Sequence, residues 1–143
     1  EETKNVKLSF LFEQIKKDLN NKNLFLQNLD NVELNGRLSS LRRCFENVIQ
    51  NGLTYGKNVY VELQKGNNRA IINIDDDGPG ISEDQHRNVF KPFFRLDKSR
   101  NLNKAGVGLG LAIVEDIVNA HGGNIQLNKS KYNGLQVKIS LPF

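Results

Sequence analysis

Two glycine-punctuated runs constrain this chain more than anything else in it: Asp76-Asp77-Gly78-Pro79-Gly80-Ile81 and Gly106-Val107-Gly108-Leu109-Gly110-Leu111. The first closes a stretch of alternating apolar residues, Arg69 to Asp75, and so falls at the end of a strand. The second opens an apolar helical run, Leu109 to Ala120, closed by His121-Gly122-Gly123. Glycine lets backbone approach a ligand closely, and bare amides at a helix N-terminus bind anions. Runs of this kind after a strand and before a helix point to a nucleotide-like ligand. The spacing excludes two alternatives. A dinucleotide fingerprint needs G-x-G-x-x-G directly after a strand, whereas here G-x-G-x-G follows a polar loop. A Walker-type loop needs Gly-Lys-Ser/Thr, which the chain lacks.

The remaining pattern supplies the scaffold. Val6-Lys7-Leu8 reads as a short edge strand, and Ser9 is placed to cap a helix running to about Leu19. Leu24 to Leu26 and Val32 to Leu34 read as short strands. Leu38, Leu41, Phe45, Val48 and Ile49 share one face of a helix over residues 38–52, with Gly52 near its end. Asn58 to Gln64 and Arg69 to Asp75 alternate on either side of Gly66-Asn67-Asn68 and predict a hairpin. Ser82 with Gln85 predicts a capping box for a short helix to about Phe90. Ile125 to Leu127 and Leu135 to Leu141 predict a last hairpin around Asn133-Gly134. Residues 95–105 are polar, lack periodicity and carry Arg95, Lys98, Arg100 and Lys104; they read as a solvated loop or, beside a phosphate chain, as a movable lid. The class is α+β: a two-layer α/β sandwich whose mixed, mostly antiparallel sheet is covered on one face by about three helices. Residues 1–143 form one domain.

Composition narrows the function. Hydrophobic content of 38% and charged content of 25% are globular values. No apolar run approaches the ~20 residues that span a membrane, and no signal-peptide pattern opens the chain. It starts at Glu1-Glu2 rather than Met, which reads as a fragment of a longer protein. The net charge of +4 comes without a basic block or interleaved aromatics, so nucleic acid is not an expected partner. The single cysteine, Cys44, lies in an apolar helical pattern and reads as a buried structural residue in a reducing compartment.

Asn47 and Asn51, four apart, share a helix face. An amide oxygen there can complete the shell of Mg²⁺ without adding charge; taken alone, the pair also fits a solvated helix surface. The Asp76 carboxylate can accept a hydrogen bond from an exocyclic amine such as adenine N6; alone, the segment also fits a plain strand-to-helix turn. Asp75, Asp76 and Asp77 suggest a metal cluster, but successive strand residues point to opposite faces, which disfavours one. Phe90-Lys91-Pro92-Phe93-Phe94-Arg95 joins the two glycine runs, and its phenylalanines anchor the segment or pack in the core. His86 reads as solvated and His121 as a helix-end residue where a cation is favourable. Neither reads as a phosphoryl acceptor. Together these residues predict a site for Mg-ATP.

The boxes Asn47-x-x-x-Asn51, Asp76-x-Gly78-x-Gly80, Phe90-x-Pro92-Phe93 and Gly106-x-Gly108-x-Gly110, followed by Ala120-His121-Gly122-Gly123, resemble in order the catalytic ATP-binding domain of bacterial sensor histidine kinases, of the GHKL superfamily. The likeness covers roughly residues 5–143, and Tyr55-Gly56 with Phe93-Phe94-Arg95-Leu96-Asp97 is similar to osmosensor kinases of that family. The resemblance implies the GHKL fold and a role for each box. Asn51 ligates Mg²⁺, Asn47 contacts phosphate or a metal-bound water, and both count as catalytic together with Arg95. Asp76, with Gly78, Gly80 and Ile81, reads adenine, while Tyr55 lines its pocket and Phe90 lies alongside. Gly108 and Gly110 present amides to the phosphates, Gly106 and Leu109 belong to the same nucleotide-binding set, and Arg95 with the lid approaches the β- and γ-phosphates.

The resemblance further implies that the γ-phosphoryl group passes to a histidine on a separate dimerisation domain of the same kinase, and from there to a response regulator. The parent protein is then expected to be homodimeric and held in the inner membrane, with this domain cytoplasmic and monomeric by itself. No acceptor segment lies in these residues, so the chain is expected to bind ATP but to transfer poorly alone. Two positions depart from the family pattern: Thr54 stands where Lys or Arg is common, and Val107 where Thr is common. The alternatives are a stand-alone GHKL serine kinase or ATPase and a degenerate nucleotide-binding module. Hydrolytic relatives place Glu where this chain has Asn47, and Glu46, one residue away, is rotated by about 100° off the Asn51 face.

Overall fold

The alternation in two central strands sets the architecture. β4 (Val59–Lys65) and β5 (Arg69–Asp76) pair antiparallel with Val61 opposite Ile74 and Leu63 opposite Ile72. β7 (Leu135–Pro142) continues the same apolar rows, with Ile139 opposite Ile72 and Val137 opposite Ile74. β6 (Asn124–Lys129) closes that edge antiparallel to β7. On the other side β2 (Leu24–Leu29) runs parallel to β4. The five-stranded sheet thus has the order β2-β4-β5-β7-β6 and is mixed, mostly antiparallel. This computed structural model describes residues 1–92 and 110–143. The expected lid at residues 95–105, Phe93, Arg95, Gly106, Gly108 and Leu109 lie outside the described residues.

Three α-helices among the described residues supply the second layer: α1 (Leu8–Leu19), α2 (Leu38–Tyr55) and α3 (Leu111–Ala120). Their buried faces follow the helical period: Leu8, Leu11, Phe12 and Ile15 in α1; Leu41, Phe45, Val48 and Ile49 in α2; Leu111, Val114 and Val118 in α3. Phe12 and Phe45 are fully buried, with ring centroids 4.6 Å apart. Each contributes about 1.5–3 kcal/mol through burial. The two-layer α/β sandwich is the one expected from the sequence.

Several local expectations are corrected. The first strand, β1, is Lys4–Lys7 and joins β3 (Glu33–Gly36) in a separate two-stranded ribbon, with Val6 opposite Leu34. Leu8 begins the helix instead, its amide donating to Val32 O at 3.1 Å. Ser9 is therefore inside α1 and does not cap it; the cap position is Lys7. α2 runs through Gly52 to Tyr55, because Gly52 is a packing glycine: a Cβ there would lie 2.5 Å from Val59 Cγ2. The capping box does not form. Ser82 Oγ donates to Asp84 Oδ1 at 2.6 Å, and the segment breaks into two 3₁₀ turns, Glu83–Gln85 and Asn88–Phe90. A short side-chain bond of this kind competes with helix capping. α3 starts at Leu111, not Leu109, because Gly110 takes a left-handed conformation, φ 64°, at the cap. No helix among the described residues is long and apolar enough to cross a membrane.

Candidate functional site

The end of β5 meets α2, β7 and the start of α3 around a cavity of about 500 Å³, counting the space open to solvent at its mouth. Five residues singled out from the sequence line it: Asn51, Tyr55, Asp76, Gly80 and Ile81. Asn51 and Tyr55 lie four apart on the same face of α2. Asp76 is the last residue of β5, turned to the helix side of the sheet like Ile74 two residues before it.

Asp76 is nearly buried, and its Oδ1 accepts two backbone bonds, from Gly78 N at 2.9 Å and Leu135 N at 3.1 Å. Those two amides engage Oδ1, while Oδ2 lies beside Gly52 on the cavity wall. Burial pushes the Asp76 carboxyl above its ordinary range, against the two amides, and the neighbouring Asp77 and Asp75 charges push the same way. A buried acceptor of this kind suits a ligand N–H group.

The three consecutive aspartates separate as the strand geometry predicts. Asp75 points to the opposite face, where Ser130 Oγ donates to its Oδ2 at 2.7 Å. Asp77 ties the end of α2 to the loop: it accepts from Lys57 N, Asn58 N and Asn58 Nδ2 at 2.7–2.9 Å. Burial opposes its charge, but these three bonds outweigh it and hold the Asp77 carboxyl below its ordinary range. Among the described residues no three His, Cys, Asp or Glu side chains gather as a metal site.

Asn47 is half-buried one turn before Asn51, and a Cβ on Gly110 would lie 3.8 Å from Asn47 Nδ2. The fold therefore brings the asparagine helix to the N-terminus of α3. Gly78 is not on the cavity wall. It allows the loop to approach α2, since a Cβ there would lie 2.8 Å from Tyr55 O. Phe90 is half-buried against the core and also does not line the cavity. Arg95, Gly106, Gly108 and Leu109 lie outside the described residues.

The sequence reading missed the apolar floor and one wall, formed by Val48, Ile74, Leu111, Leu135 and Val137. A signal existed for part of it: Ile74 is two residues from Asp76, and Val137 is its cross-strand partner. Both histidines are engaged rather than loose. The His86 ring is 3.0 Å from Ile81 O and half-buried, so it is not simply solvated. His121 Nε2 accepts from Arg37 N at 3.0 Å, while Nδ1 lies 2.8 Å from Ile117 O and must donate. That pair of bonds ties the ring to the backbone on both sides, at the start of α2 and at the end of α3.

Known proteins share this fold. Residues 36–143 match the family model described as histidine kinase-, DNA gyrase B-, and HSP90-like ATPase. The chain is 36% identical over 107 residues to the sensor histidine kinase GtrS of Pseudomonas aeruginosa, covering 75% of this chain and 22% of that protein. It is similar to the solution structure of the histidine kinase domain of the Escherichia coli osmosensor EnvZ, with a TM-score of 0.75 and 30% identity over 99% of this chain and 89% of that one. The fold is also that of the ATP-binding domain of PrrB from Mycobacterium tuberculosis, with a TM-score of 0.82 and 24% identity over 99% and 98% of the two chains. The chain thus spans about a fifth of the length of its full-length relative GtrS.

Proposed function

The chain belongs to the family of histidine kinase-, DNA gyrase B- and HSP90-like ATPases, and from that premise we propose that it binds Mg-ATP and donates the γ-phosphoryl group to a histidine on a separate dimerisation domain. The observation that carries the reading is Asp76: one oxygen is fixed by two backbone amides and the other lies on the wall of an apolar cavity. Ile74 and Val137 give the cavity an apolar wall against which a purine ring would pack. Asp76 selects the 6-amino group, and Tyr55 lines the same pocket.

The residues present suit Mg²⁺ of the kind that keeps its waters and phosphate oxygens and takes few protein ligands. Asn51 offers an amide oxygen at the cavity, and no anionic cluster competes for the ion among the described residues. When bound, Mg²⁺ supplies charge neutralisation of the phosphate chain. The N-terminus of α3 at Gly110, close to Asn47, adds the helix dipole for the same anion. Arg95, Gly106, Gly108 and Leu109 complete the site by resemblance.

Phosphoryl transfer is favoured over hydrolysis by the placement of Glu46. Its Oε1 accepts from Arg42 Nε at 3.2 Å, and Arg42 also pairs with Asp18. This carboxylate is thereby occupied outside the cavity, and Asn47, which is no base, stands at the position where hydrolytic relatives place Glu. Transfer then depends on an acceptor held in line by another domain. The parent protein is a homodimeric sensor kinase held in the inner membrane, this domain being its cytoplasmic part, and it passes the group on to a response regulator.

The test is γ-labelled ATP incubated with this chain alone, and then with a separately supplied dimerisation domain of the same parent protein. Label on the added domain and none on this chain is expected. Strong self-labelling, or rapid phosphate release without the partner, would contradict the reading.

A further inference from the structure

We infer that the turn at residues 130–134, between β6 and β7, is a positioning clasp for Asp76 and so sets base selectivity from the far side of the sheet. The inference rests on the nucleotide reading above. Asp75 and Asp76 are neighbours on β5 with side chains on opposite faces, and the one turn grips both. From the outer face Ser130, itself buried, donates through Oγ to Asp75 Oδ2 at 2.7 Å. From the cavity side the amide of Leu135, directly after the turn, donates to Asp76 Oδ1 at 3.1 Å. Tilting the end of β5 in either direction lengthens one of these bonds.

The turn itself is rigid and pinned. Ser130 N donates to Gly134 O at 2.8 Å, Asn133 N to Ser130 O at 3.0 Å, and Tyr132 N to Ser130 Oγ at 3.0 Å. The Ser130 hydroxyl therefore accepts from the turn and donates to the strand at once. Tyr132 folds back over the outer face and stacks on Tyr60, centroids 3.8 Å apart and planes within 14°. Tyr60 is the cross-strand partner of Asp75. Gly134 presses directly on the carboxylate: a Cβ there would lie 2.2 Å from Asp76 Oδ1 and 2.3 Å from Asp76 O. The backbone oxygen cannot rotate away, so the turn reaches this position only with glycine. None of Ser130, Tyr132 or Tyr60 lines the cavity. Their effect on the base is transmitted by fixing Oδ1, which leaves Oδ2 at one place for the 6-amino group.

The experiment compares ATP with purine riboside triphosphate, which lacks only the 6-amino group, by calorimetry on the whole chain. The wild-type chain should prefer ATP. Equal affinity there would mean that Asp76 does not read the amine, and this inference would fall; no binding of either triphosphate would overturn the nucleotide reading itself. With that preference in hand, Ser130→Ala and Tyr132→Ala should each reduce the ATP preference roughly fivefold, the scale of one misaligned hydrogen bond, with little change for the analogue. Ser130→Thr, which keeps the hydroxyl, should restore it. A preference that stays at the wild-type value in both alanine variants, whether the two affinities fall together or not at all, would overturn the clasp while leaving base reading intact. Circular dichroism confirms that each variant is folded, and Gly134→Ala is set aside as the variant that strains backbone.

Discussion

Replacing Asp76 with Asn changes one atom at the end of the cavity and nothing in its shape. The retained oxygen keeps both backbone bonds, from Gly78 N at 2.9 Å and Leu135 N at 3.1 Å. The cavity-side oxygen becomes an amide NH₂, which faces the adenine amine donor to donor. The loss is that of a hydrogen bond to a charged acceptor with a partner left unmatched, about 1–3 kcal/mol, or roughly 5- to 150-fold in dissociation constant. Stability of the free protein should move the other way. Burial holds the Asp76 carboxyl above its ordinary range, so the folded state binds more protons than the unfolded state between the two values. That contribution is complete below about pH 4, the ordinary carboxyl value, and is lost as pH rises through the folded value. The neutral amide has no such loss, so D76N should be at least as stable as the wild type at pH 7 and no more stable in acid. Calorimetry with ADP and ATP, beside thermal melts at pH 4 and pH 7, reads both effects. Unchanged nucleotide affinity in D76N, or a lower melting temperature at pH 7, would refute the reasoning.

Other substitutions test the supports of the site. Asp77→Ala removes three bonds that tie Lys57 and Asn58 to the loop and should cost about 1–3 kcal/mol at pH 7. Because the Asp77 carboxyl sits below its ordinary range, its stabilisation is present above that range and fades as pH falls through the folded value; chemical denaturation across pH 2–7 should show the variant and wild type converging in acid. Gly52→Ala should destabilise by about 1–3 kcal/mol through overpacking, since the added methyl meets Val59 Cγ2 at 2.5 Å and Asp76 Cβ at 3.2 Å; a urea midpoint equal to wild type would contradict this. The Cys44 thiol, pushed up to about 12 by burial, should resist iodoacetamide at pH 8 in the folded chain and react only in denaturant, as mass spectrometry would show.

The sequence carried the fold where periodicity was strong. The faces of α1 and α2 and the β4–β5 hairpin follow directly from the spacing of Phe12, Phe45, Val59, Val61 and Ile72. The β1–β3 ribbon did not show itself, because its two apolar anchors, Val6 and Leu34, are single residues that meet only after the chain has gone around α1 and β2. Gly52 reads locally as a helix end; only the approach of Val59 shows why it lies inside one. In the site, Asn51, Asp76 and Gly80 stand out in the sequence as one of a helical asparagine pair and a glycine run after a strand, Tyr55 and Ile81 come in only through the family resemblance, and all five line one cavity. The floor of Ile74, Val137 and Leu135 was less legible, since apolar side chains in strands look alike whether they face a core or a ligand. Asp77 and Gly134 act through contacts between distant segments, which no local pattern encodes.

The claim that ATP occupies the cavity at the end of β5 is tested most directly by amide chemical shifts during titration with Mg-ADP. Binding there should move the amides of Gly80, Ile81 and Leu135 most, together with Asn51 and Tyr55, and leave the amides of β1 and α1 unchanged. Saturating shifts confined to other surfaces, or no shifts at millimolar nucleotide, would contradict the account.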